Sequence, residues 1–173
     1  MGFTLNLNED RTIARPTLVP PSSDAHKYSR GHAMVWSGPP LHTGASRLAA
    51  QAALAVGAGL VTIIGKRAAL AEQAAHVTAI MLREADDALA CIDRRVTALA
   101  IGPGAGAGIK DIVCALLKRD IPTVLDADAI TAFAGDPARL FQLLSADDVM
   151  TPHAGEFARL FPDIDLADRP AAA

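Results

Sequence analysis

Aromatic residues are scarce in this chain. It has five phenylalanines, one tryptophan and one tyrosine, 4% of its 173 residues, although 51% of it is hydrophobic. The apolar content is therefore mostly alanine, valine, leucine and isoleucine, which suits helices packed on a buried parallel sheet better than a small β-sandwich. Cysteine is nearly absent too. Cys91 and Cys114 lie far apart and fit no CxxC or metal-spaced pattern, so two buried free thiols in a reducing compartment are expected. His26, His32, His42 and His76 show no ligand spacing, which argues against zinc. The N-terminal MGFTLNLNEDRTIARP lacks the apolar core of a signal peptide. The most apolar stretch, Ala52 to Gly65, is too short for a membrane span and is interrupted by Gly57 and Gly59. With neither of these, a membrane is not an expected partner and a cytoplasmic location is expected. Net charge is −3 with scattered basic residues, so nucleic acid is not an expected partner either.

What is present is a regular alternation. Residues 1–25 are polar and carry Pro16, Pro20 and Pro21, which reads as an N-terminal arm or linker. Residues 26–173 read as one α/β domain. Strands are expected at Ala33–Ser37, Leu60–Ile64, Ala79–Arg83, Ala98–Ile101, Thr123–Leu125 and Val149–Met150. Helices are expected from a Thr43 cap to about Val56, near Ala68–His76, Asp87–Arg94, Ile109–Arg119 and Ala138–Leu144, and over Ala154–Phe161. Such alternation implies right-handed crossovers and a mostly parallel sheet flanked by helices.

Ligands of open α/β sheets bind beyond the carboxyl ends of the strands. Four unusual segments fall there: 38–45, 102–106, 126–128 and 151–156. Glycines at 102, 104 and 106 let a backbone approach a ligand closely, or serve tight packing alone. Taken as Gly102-x-Gly104-x-x-Ala107, the loop also fits a dinucleotide fingerprint with Asp126 as ribose ligand, although Pro103 removes a donor beside the pyrophosphate position. Thr43-Gly44-Ala45 opens a helix with small residues and either receives a polar ligand group or is a plain cap. Asp126 and Asp128 either hold Mg²⁺ through water, or one of them caps the next helical turn. His153 and Glu156 either meet a substrate and a cation–phosphate pair, or serve the turn and the helix dipole.

The ordered series HKYSRGHAMVWSG, TGASRLAA, VGAGLVT, IGPGAG, VLDADAI and TPHAGEFARL resembles the NAD(P)H-hydrate dehydratase family from His26 to about Phe161. That resemblance implies a ribokinase-like fold whose C-terminal part is missing here. It also implies dehydration of hydrated NADH and NADPH with ADP or ATP as co-substrate and Mg²⁺. Carried over position by position, Ala45, Gly104 and His153 would contact the hydrate, Asp126 would line the site, and Glu156 would help organise magnesium and phosphate. His153-Ala154-Gly155-Glu156 is similar to the Asn-x-x-Glu motif of sugar kinases, and the arm resembles a connector to an upstream epimerase domain. The family's Gly-Thr-Gly-Asp segment, with its catalytic aspartate, is absent from this sequence, so that residue would lie beyond Ala173 and the chain alone is expected to be inactive. Two other readings are an NAD-dependent oxidoreductase using the Gly102–Ala107 loop, and a non-catalytic binding or assembly module. An exposed sheet edge would favour a homo-oligomer.

Overall fold

A computed structural model describes residues 20, 22, 24–85 and 89–164. Most of the 1–25 arm, Asp87 and the last residues lie outside that set. Among the described residues six strands are interspersed with helices, with no α-helix between the third and fourth strands and two between the fifth and sixth: β1 His32–Trp36, α1 Gly44–Ala55, β2 Leu60–Gly65, α2 Arg67–Ala74, β3 Met81–Glu84, β4 Ala98–Ile101, α3 Lys110–Leu116, β5 Thr123–Leu125, α4 Asp128–Thr131, α5 Pro137–Phe141, β6 Val149–Met150 and α6 Ala154–Leu160. All pairings are parallel, in the order β3-β2-β1-β4-β5-β6.

The period of two along each strand divides the core into two layers. Met34 and Trp36 of β1 join Leu99, Ile101, Leu125 and Phe133 on one face. Val35 joins Val61, Ile63, Ala50 and Leu70 on the other, under α1 and α2. Alanines keep α1 close to the sheet, and Ala50 is wholly buried. β5 and β6 carry the opposite signature: Val124 and Val149 pair in register and are 40% and 52% exposed.

Several elements depart from the sequence expectation for visible reasons. The helix expected over Asp87–Arg94 is, among the described residues, only a 3-10 turn at Leu89–Cys91. Asp93 Oδ1 accepts from the Arg95 amide at 2.8 Å, and the Val96 amide donates to the Asp93 carbonyl, so the chain turns directly into β4. α3 tightens to a 3-10 turn at Leu117–Arg119 and stops at Asp120, whose φ is 51°. β3 begins two residues later than expected, after a bend. Asp128 opens the short helix α4, and Thr43 precedes α1 without its side chain capping the helix.

Candidate active site at the carboxyl edge

β1 and β4 are neighbours, yet the chain leaves β1 toward β2 on one side and β4 toward β5 on the other. Their boundary is the switch point, where the following loops diverge and open sheets place ligands. Here the loops are locked together backbone to backbone. A Cβ on Gly38 would overlap the carbonyl oxygens of Gly104 and His42. A Cβ on Gly102, whose φ is 123°, would overlap the Asp126 carbonyl oxygen. The Gly106 amide donates to Asp128 Oδ2 at 2.8 Å, and the Thr151 amide donates to the Leu125 carbonyl at 3.0 Å. All four expected segments therefore share one edge of the sheet. From the β1 loop to the β6 loop there are three strand spacings, about 14 Å, enough to engage an extended dinucleotide.

Ala45 is exposed in the first turn of the twelve-residue α1. Gly104 is half-buried beside His42, with φ 65°. Asp126 is half-buried, and among the described residues its carboxylate meets no hydrogen-bond donor. The turn after β6 is closed on itself. His153 Nδ1 accepts from the amides of Gly155 (2.9 Å) and Glu156 (3.4 Å), while Glu156 Oε2 accepts from the His153 amide at 2.9 Å. Because Nδ1 accepts, the proton of a neutral imidazole sits on Nε2, 3.3 Å from Glu156 Oε1. Glu156 is buried, whereas the His153 side chain is 67% exposed. Both residues thus form a reciprocal capping box, the structural alternative to ligand contact, while the imidazole face stays open to solvent.

Sequence reasoning missed the network that holds the first loop. Gln73 of α2, fully buried, donates from Nε2 to the Thr43 carbonyl (2.9 Å), Ser46 Oγ (3.0 Å) and Ser37 Oγ (3.3 Å). Its Oε1 accepts from Arg47 Nε at 3.0 Å. Neighbouring Glu72 accepts the Leu41 amide through both oxygens, at 3.0 and 2.9 Å, and the Thr43 hydroxyl at 3.2 Å. Leu41 is held at φ 68° with its side chain 90% exposed. The available signal was the spacing Ala69, Leu70, Gln73, which puts a glutamine on the buried stripe of α2.

The dinucleotide fingerprint is not built. Eight residues separate β4 from α3, and Asp128 occupies the Gly106 amide that a phosphate would need. Among the described residues no three His, Cys, Asp or Glu side chains gather around a metal position. A hard cation that keeps several waters and phosphate oxygens needs only one or two carboxylates, so Glu156 fits such a role if His153 Nε2 leaves Oε1. No helix among the described residues is long and apolar enough to cross a membrane.

The sheet and its layers are those of ribokinase-like proteins. The chain superimposes on a ribokinase-like superfamily protein of Enterococcus faecalis with a TM-score of 0.73 and 23% identity, over 90% of this chain and 58% of that one. For an ADP/ATP-dependent NAD(P)H-hydrate dehydratase of Bacillus subtilis, co-crystallised with ATP and Mg²⁺, the values are 0.72, 24%, 90% and 56%. Sequence carries the assignment further. Residues 33–173 match the NAD(P)H-hydrate dehydratase family model, and the chain belongs to that family. It is 37% identical over 153 residues to a bifunctional NAD(P)H-hydrate repair enzyme of Synechocystis, covering 83% of this chain and 29% of that enzyme. It is also 32% identical over 161 residues to an ATP-dependent (S)-NAD(P)H-hydrate dehydratase of Pongo abelii, covering 86% of this chain and 48% of the relative. The chain thus spans less than half the length of either relative.

Proposed function

We propose that this chain supplies the hydrate-binding face of an enzyme that removes water from NADHX and NADPHX, using ADP or ATP. The observation that carries this is the locking of the loops after β1, β4 and β5 into one glycine-lined edge. Glycine backbones let an extended dinucleotide lie close to amides there, and the first turn of α1 at Ala45 offers N–H groups to polar groups. Gly104 would flank the hydrated ring, His153 would donate from Nε2, and the Asp126 carboxylate would accept from a hydroxyl or amide of the ligand.

The co-substrate makes a poor leaving group good: the hydrate hydroxyl takes a phosphoryl group, then the C–O bond breaks as the ring nitrogen donates its electron pair. Loss of the adjacent C–H proton restores the double bond. Mg²⁺ would stand with phosphate oxygens and water near Glu156. The nucleotide site and the catalytic base would be supplied by residues other than those named here. We assign residues 26–173 to this domain and 1–25 to an arm that, as the family resemblance implies, would join an epimerase domain in a cytoplasmic, self-associating protein.

Calorimetric titration tests the reading. The chain should bind NADH hydrate more tightly than NADH, and should give no turnover with ADP or ATP and Mg²⁺. Equal affinity for the two dinucleotides would sink the hydrate assignment.

A further inference from the structure

At the opposite end of the sheet lies a cavity of about 290 Å³ whose walls include Lys27, Tyr28, His32, Thr62, Arg83 and Arg95. His32 and Leu60, also in its lining, are the first residues of β1 and β2. The cavity is therefore at the amino edge, away from the glycine-lined loops, and the hydrate reading makes no use of it.

We propose that this cavity binds a phosphate monoester carrying a small apolar or aromatic body. The charge is local and runs against that of the whole chain, which is −3. Arg95 is neutralised by Asp93, with Nη2 to Oδ2 at 2.7 Å. Lys27 has no such partner: its Nζ sits 5.1 Å over the Tyr28 ring, and among the described residues it meets no carboxylate. Arg83 spends Nη1 on the Cys91 carbonyl at 3.0 Å and likewise has no acidic hydrogen-bond partner among them. Asp93 also lines the cavity and its charge is felt by both Arg95 and Arg83, so three cations face one carboxylate. The net excess of two positive charges matches a dianion better than a carboxylate, and a guanidinium offers the forked donors that phosphate oxygens take.

The rest of the lining fits the body of such a molecule. Leu60, Met81 and Leu82 give an apolar wall, and Met81 is 43% exposed. Between wall and cations, His32 Nε2 lies 2.8 Å from the buried Thr62 hydroxyl. Burial lowers the His32 pKa, so this pair is a neutral dipolar element near pH 7. The volume is at the lower limit of ligand pockets, roughly 300 Å³, which leaves room for one phosphate and one ring but not for a dinucleotide.

The test uses the whole chain with phenyl phosphate, inorganic phosphate, benzoate and phenol, read by calorimetry. Phenyl phosphate should bind with a dissociation constant below about 1 mM. Inorganic phosphate and benzoate should each bind at least about fivefold more weakly, and phenol should not bind measurably. K27Q and R83Q should each weaken phenyl phosphate about tenfold. K27Q should leave the unfolding temperature of the free protein unchanged, and R83Q, which also loses the bond to the Cys91 carbonyl, should lower it slightly while the protein stays folded at the assay temperature. No binding, or binding that both variants retain, would overturn the site. Equal affinity for benzoate would overturn the phosphate assignment, and equal affinity for inorganic phosphate would overturn the apolar body. None of these readouts depends on hydrate binding, so either proposal can fail alone.

Discussion

The side-chain amide of Gln73 donates to the carbonyl of Thr43 at 2.9 Å, tying α2 to the residue from which α1 springs. The same amide serves Ser37 and Ser46, so one buried side chain fixes the end of β1, the loop and the first turn of α1. Replacing it with leucine leaves those buried groups and the Arg47 guanidinium without their partner. Gln73→Leu should cost about 2–3 kcal/mol. Urea unfolding would show this as a lower midpoint with an unchanged slope.

Glycines 44 and 102 separate packing from ligand access. A Cβ on Gly102 has no space and would carry a positive φ, so Gly102→Ala should cost more than about 3 kcal/mol or prevent folding. A Cβ on Gly44 meets nothing within 4 Å. Gly44→Ala should raise stability by about 0.5 kcal/mol, by restricting the unfolded chain, and yet weaken hydrate binding. Thermal unfolding and calorimetry on the two variants check both halves. Undiminished hydrate affinity in Gly44→Ala would mean that the ligand does not use this opening.

His32 sets a pH dependence of known sign. Burial holds its pKa below the ordinary 6.5, so the unfolded chain takes up the proton first as pH falls. Stability from this residue is present above pH 6.5 and is lost as pH drops from there toward the lower folded value. The unfolding temperature of the native chain should therefore fall more steeply below pH 6.5 than that of His32→Gln. Identical profiles would remove His32 as the cause.

Val124 and Val149 pair in register on a sheet face left partly exposed, and among the described residues β6 ends the strand order. An apolar edge of this kind favours pairing with another chain. Val149→Lys should shift the chain toward monomer in light scattering at matched concentration. An unchanged mass would place any self-association elsewhere.

Strand positions were legible because their punctuation is local. β4 and β5 lie where Gly102, Pro122 and Asp126 bound short β-branched or aliphatic runs. The helix expected after Asp87 was not, because the Asp93–Arg95 pairing that turns the chain competes with helix at a level composition does not reveal. For the site, the strand-end rule placed Ala45, Gly104, Asp126 and His153 along one edge of the sheet. It did not reveal that Gly38 is pressed against Gly104, or that His153 and Glu156 hold each other in a capping box. Nor does a glutamine in an alanine-rich helix announce partners that lie 26 to 36 residues away.

The most direct test of the central claim is the map of backbone amide shifts when NADH hydrate is added to the isotopically labelled chain. Ligand-induced shifts are predicted to concentrate at residues 38–45, 102–108 and 153–156, on the carboxyl edge of the sheet. Shifts confined to the opposite edge around His32 and Arg83, or no shifts at saturating hydrate, would contradict it.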